Sequence, residues 1–323
     1  MKSLAEKLAI IVEKKPWWFV IAAVVLSVTA IPGAVMMSPE SGMDMMVSPE
    51  AQIFIDNTKY EEQFGGESIT VLLEGSLGLA HLTTIDELGQ MVADDDRYLR
   101  VLGPQPVDDA NSLLIITPAG NVSDDVQLQS VRDIEKFFDQ NPMSGVKATV
   151  IDMSKVFSAI TRSMGSDMGL LFGLAVGLMA LILFFIFKVR WRLLSLLMVG
   201  IGALWTFGIM GYIGVPVSMV TMAVLPILIG LGIDFSIQFH NRYEEELTRS
   251  DSVKQAIVKS VKAMWPVVGI ALLATVIGFI TLYISSVPMI KDFGLTLAVG
   301  VIMSYIVGLF LLNSVLYLID KKK

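Results

Sequence analysis

The chain has 323 residues, 54% of them hydrophobic and 17% charged, with 24 Lys and Arg, 31 Asp and Glu, and no cysteine. This balance lies outside the range of soluble globular domains and reads as an integral membrane protein. An acidic chain without a basic stripe argues against nucleic-acid binding, and the lack of cysteine excludes disulfide stapling, thiolate chemistry and cysteine-ligated metals.

In chain order, six stretches reach the roughly 20 apolar residues that a span needs: 17–36, 168–187, 193–213, 217–239, 267–284 and 293–318. Trp17 and Trp18 open the first as an interfacial anchor. Its rival reading is a cleaved signal peptide, given the basic start and the small residues late in the run. The length of the stretch favours a span, and a sixth crossing brings both termini to one side. The acidic segment 37–166 follows, with expected strands at 68–73, 98–102, 112–117 and 147–151 and helices at 84–92 and 125–139. The order β-α-β-β-α-β is the split βαβ unit. After Asp152 a helical pattern runs into the second span, which predicts rigid coupling of the outer domain to the membrane.

The expected fold is therefore an α-helical integral membrane protein with six transmembrane helices plus an α+β ferredoxin-like (βαββαβ) extracytoplasmic domain. Residues 1–36 form a cytoplasmic segment and the first span, 37–166 the outer porter-like domain, and 167–323 a five-helix membrane domain. Between the fourth and fifth spans, Ser250 can cap a helix whose Val253, Ile257, Val261 and Met264 share a face. That predicts an amphipathic helix at about 250–264 in the inner interface, with a solvated connector as its rival. Loop charges set the orientation. Lys2, Lys7, Lys14 and Lys15, then Lys188, Arg190 and Arg192, the stretch from Arg242 to Lys262, and Lys321 to Lys323 all fall on one side if six runs cross. The positive-inside rule makes that side cytoplasmic, at the plasma membrane.

One acid interrupts the fourth span. In "LGIDFSIQFHNRYEEE", Asp234 lies inside the apolar run, where an ionised carboxylate costs roughly 3 kcal/mol on insertion scales. Helical spacing puts Ile227, Gly230, Leu231, Ile237 and Gln238 on its face, while Ser236 points elsewhere. A glycine and an amide flanking the carboxylate describe a face pressed on other helices rather than on lipid. Pro226 removes a backbone donor and Gly230 and Gly232 loosen the helix, which predicts a mobile, partly hydrated segment. A neutral carboxyl sits in the membrane and its charged form wants water or a partner, so such a group can load a proton on one side and release it on the other. No Lys or Arg lies deep in any run as a fixed partner. The alternative is that Asp234 bonds hydroxyls and ties the bundle together. No metal site is expected, since the nearby His240 stands alone at the end of the span.

One span, a large outer segment, five further spans and "GLGIDFSIQFHNRYEEEL" in the fourth resemble one half of a resistance-nodulation-division (RND) permease. The specific likeness is to the hydrophobe/amphiphile efflux type related to the mycobacterial MmpL transporters. "PVVGIALLATVIGFITLYISSVPMIKDFGLTLAVGV" is similar to that family's fifth and sixth spans, and "SPEAQIFIDNTKYEEQFGGESITVLLEG" to the start of its outer domain. The resemblance implies proton-driven export or transfer of lipids and other amphiphiles, with Asp234 as the proton carrier. Relatives often place Tyr after the Asp, where this chain has Phe235. A relay would then draw on Thr275 or Thr281 of the fifth span, on Gln238, or on water. The permeases usually carry two such repeats, so a homodimer, or a second half-unit, is expected to rebuild twelve spans.

Two other readings stay open. SecD/SecF protein-export accessory proteins share the one-plus-five plan, and a sterol-sensing-type domain would bind lipid without transport. An enzyme is not expected, for want of clustered nucleophiles, paired carboxylates or a phosphate-binding loop; no cofactor is expected either. Met36, Met37, Met43, Met45 and Met46 could line a pocket for hydrophobic substrates or pack on lipid.

Overall fold

The computed structural model describes residues 4–38, 45–120, 124–185 and 190–321. The chain divides into two compact units, one formed by Met1–Glu40 with Met164–Lys323 and the other by Ser41–Ser163.

That second unit opens with a helix absent from the sequence expectation, α3 (Gln52–Phe64). Then follow β1 (Ile69–Glu74), α4 (Leu79–Ala93), β2 (Tyr98–Pro106), β3 (Asn111–Pro118), α5 (Asp124–Gln140) and β4 (Lys147–Ile151). The strands form one sheet in the order β2-β3-β1-β4, antiparallel throughout. This is the split βαβ unit, in which each helix returns the chain past a neighbouring strand. Alternation decides which face is covered. Ile69, Val71 and Leu73 of β1 and Leu114 and Ile116 of β3 have no exposed surface, and they pack under Ile85 and Leu88 of α4 and Val131 and Ile134 of α5. The register Val71↔Leu114 and Val71↔Val150 keeps these side chains on that face, because a slip of one residue would turn each strand over. Tyr98 of β2 reaches α5 by donating from Oη to Ser130 O at 3.2 Å. Arg97 bridges Asp95 at 2.6 Å and Asp133 at 2.9 Å.

The first unit is helical. It contains α1 (Leu4–Lys14), α2 (Pro16–Met36), α7 (Leu193–Ile213), α8 (Val224–Arg249), α9 (Val253–Thr281), α10 (Pro288–Ile306) and α11 (Asn313–Asp320). A 3-10 turn, Thr221–Ala223, leads into α8, and a π turn, Val307–Leu312, joins α10 to α11. Among the described residues, five helices are long and apolar enough to cross a membrane: Pro16–Met36, Leu193–Ile213, Thr221–Arg249, Val253–Ile284 and Pro288–Asp320. The remaining expected span falls in α6 (Met153–Phe185), whose apolar end, Phe172–Phe185, is shorter, and the expectation extended to residues outside the described set.

Two sequence expectations change here. Residues 253–264 are the first turns of α9 rather than a separate interfacial helix, and the cap is Ser252, whose side chain accepts from Gln255 N at 3.3 Å. Its apolar face is covered by protein. Ile257 and Val261 have no exposed surface and cluster with Ala9 and Val12 of α1, and Lys254 pairs with Glu13 at 3.0 Å. Likewise Pro226 does not break the fourth span. It is the third residue of α8, where backbone N–H groups lack helical acceptors anyway, so the helix runs on to Arg249.

Candidate functional site on two faces of α8

Side chains on α8 divide between a face turned into the bundle and a face turned out. The inward face carries Leu228, Gly232, Ser236, Phe239 and His240, all buried. It meets α10 in steps of four residues. A Cβ on Gly300 would lie 2.3 Å from Leu228, one on Gly232 would lie 2.6 Å from Ser304 Oγ, and one on Gly308 would lie 3.6 Å from Ser236 Oγ. Pairs 228/300, 232/304 and 236/308 advance together, so the two helices run parallel at a spacing that only small residues permit. The π turn then shifts the register. Asn313 donates from Nδ2 to Gly308 O at 3.0 Å and Leu309 O at 2.9 Å, capping carbonyls of the widened turn.

Beyond the turn the seam becomes polar. Nδ1 of His240 lies 3.1 Å from Ser195 Oγ of α7. Tyr243 donates from Oη to Asp320 Oδ2 at 3.0 Å, and Arg190 pairs with Asp320 Oδ1 at 3.2 Å. Sequence reasoning took His240 and the residues after it as the polar end of the span. The spacing Gly232, Ser236, His240, Tyr243 was the available signal that they share one inward face.

The outward face carries Asp234. Its carboxyl is exposed, with no hydrogen-bond or ion-pair partner among the described residues. Gly230, one turn before it, is exposed too, and a Cβ there would meet nothing within 4 Å. Ile227, Leu231, Ile237 and Gln238 are half-buried. The face expected to press on other helices is therefore open within one chain. Ser236, as expected, points to the other side. Thr275 and Thr281 bond carbonyls of their own helix turn, Ala271 O at 2.9 Å and Gly278 O at 2.6 Å, rather than Asp234.

Of the methionines, Met36 and Met37 belong to the helical unit and Met45 and Met46 to the sheet unit; Met43 lies outside the described residues. Met45 is buried and Met46 exposed. An apolar cavity of about 420 Å³ instead lies among α2, α7 and the α10 span, lined by Leu26, Ala30, Trp205, Gly208, Tyr212 and Met303 among others. Its polar neighbours are satisfied: Trp205 Nε1 donates to Ser27 Oγ at 3.0 Å and Tyr212 Oη to Thr29 O at 2.7 Å. No group of three or more His, Asp or Glu suited to a metal occurs among the described residues.

Five apolar spans and a split βαβ sheet define a multi-pass membrane protein with an attached α+β domain. Residues 80–322 match the MMPL family, and the chain belongs to that family. It is 29% identical over 146 residues to a putative membrane protein of Methanocaldococcus jannaschii, a match covering 45% of this chain and 38% of that protein. It is 28% identical over 101 residues to the hopanoid transporter HpnN of Burkholderia multivorans, covering 31% of this chain and 12% of HpnN. Matched regions thus span well under half of these relatives. The fold is shared with SecDF, a translocon-associated membrane protein of Thermus thermophilus, at a TM-score of 0.54 and 17% identity, covering 96% of this chain and 38% of that one.

Proposed function

We propose that the protein is a transporter of hydrophobic, lipid-like molecules driven by the proton gradient, in which Asp234 is the proton-carrying group. The observation that carries the reading is an unpartnered carboxyl on the open face of a membrane-length helix, beside a glycine with free space around it. Left against lipid, the charged form is strongly disfavoured. A covering helix would leave room for a neutral carboxyl, and access to water would let it ionise, so each transition of the helix can be coupled to one proton. Membership of the MMPL family and the likeness to hopanoid transporters support hydrophobic cargo. The apolar cavity of about 420 Å³ is of a size and chemistry suited to such cargo.

In this reading two copies meet through the Asp234 face. Both termini are cytoplasmic and the sheet unit is outside, as the loop charges require. Shared fold with SecDF keeps protein export as the second reading; the likeness to hopanoid transporters favours lipid cargo.

The test is proton flux in proteoliposomes under an imposed pH gradient, with native protein and Asp234→Asn compared at equal incorporation. The expected result is loss of lipid-dependent flux in the variant. Equal flux in both would remove Asp234 from the mechanism.

A further inference from the structure

The inward seam of α8 holds polar chemistry that the Asp234 face does not use. Ser236, His240, Ser304, Asn313 and Ser314 are each at most 2% exposed. Among the described residues, one side-chain atom in each of Ser236, Ser304, Asn313 and Ser314 makes no hydrogen bond: the three hydroxyls and Asn313 Oδ1. An unsatisfied buried polar atom costs about 1–3 kcal/mol. Several such atoms in one bundle, left dry, would consume much of a stability that for a whole domain is only about 5–15 kcal/mol. They therefore call for a partner that is not protein.

Their order along the seam says what that partner is. Ser304 Oγ sits at Gly232, and one turn on Ser236 Oγ sits at Gly308. Asn313 holds the Gly308 carbonyl. His240 follows Ser236 by one turn and meets Ser195. The series continues into Tyr243, Asp320 and Arg190, and the Arg190 side chain is 41% exposed. A polar track thus runs from the middle of the bundle to its surface. The orphaned atoms of the seam are neutral hydroxyl and amide groups, a set that suits water; its carboxylate, Asp320, comes at the outer end, where Tyr243 and Arg190 engage it.

We propose that the α8–α10 seam, widened by the π turn, binds a file of water that is open to bulk solvent past Arg190 and Asp320 and extends inward past Ser236 to Ser304. The proposal deepens the proton-driven reading by giving protons an aqueous route on the inner side of α8, and its link to transport rests on that reading. Hydration itself is testable without transport.

The natural lack of cysteine makes the test direct. Single-cysteine variants Ser304→Cys and Ser236→Cys are treated in lipid with 2-aminoethyl methanethiosulfonate, which reacts with thiolate. Val301→Cys, at a buried apolar position of α10, is the dry reference. Apolar burial raises a thiol pKa, and each unit cuts the thiolate fraction about tenfold, so the seam cysteines should react at least about tenfold faster than the reference. Rates equal to that of Val301→Cys would overturn the proposal. Melting of Ser236→Ala and Ser304→Ala guards against misfolding of the cysteine variants. Removing a dry orphan raises Tm and would contradict the hydrated seam, whereas removing a hydroxyl bonded to water lowers it. Adding Asp234→Asn should leave labelling unchanged, so failure of the proton reading and failure of the water file are read separately.

Discussion

At the scale of residues, Asp234 was legible from one fact, an acid inside an apolar run, but its surroundings were not. Periodicity groups Gly230, Leu231 and Gln238 with it on one face of a helix, yet cannot tell whether a face meets the same chain, another chain or lipid. The reverse held for His240, which sequence position assigned to the polar end and packing buries completely. Removing the hydroxyl in Tyr243→Phe leaves Asp320 one partner short in a buried site. We expect a loss of about 1–3 kcal/mol, read as a lower melting temperature in lipid or detergent with the fold retained. In the sheet unit, the hydrogen bond from Arg97, reinforced by its charge, holds the Asp95 carboxyl below the usual range. A lowered folded pKa gives stability that is complete above the unfolded value near 4 and fades as pH falls through the folded one. Arg97→Leu should therefore melt lower than native protein near neutrality, by about 0.5–1 kcal/mol for a pair this exposed. The difference should shrink below about pH 4, and a difference that persisted there would refute the electrostatic origin.

At the scale of elements, both strand alternation and the apolar runs transferred well, because each reports burial on one face of a regular element. Strands β1 and β4 fall within a residue of expectation, whereas β2 continues from Tyr98 to Pro106, past the expected end at 102. Missing from the sequence reading were features set by contact between elements. The π turn lies in "VGLFLL", which reads as helix of either pitch. The crossing of α2 and α7 depends on glycines whose role only proximity reveals. A Cβ on Gly211 would lie 1.7 Å from Gly33 O, and one on Gly208 would lie 2.6 Å from Ala30 Cβ. Gly211→Leu must separate the two helices, so it should abolish folded protein, whereas Gly230→Leu, with open space around it, should not. Size-exclusion profiles of the two variants distinguish the outcomes.

At the scale of the whole molecule, the MMPL match and the fold shared with SecDF agree with a membrane protein carrying a sheet domain, and five of the six spans read from hydropathy are membrane-length helices among the described residues. What one chain leaves undetermined by its own packing is the cover for the Asp234 face, since self-association is not written in periodicity. The account's central claim is that a second copy supplies that cover. Gly230→Cys tests it most directly in a protein with no other cysteine, with Ile270→Cys, an exposed position of α9, as the comparison. After mild oxidation of each variant in lipid bilayers, the account predicts a disulfide-linked dimer for Gly230→Cys well above the level for Ile270→Cys. Equal or absent cross-linking at Gly230 would contradict it, leaving Asp234 without the partner face that its proposed role requires.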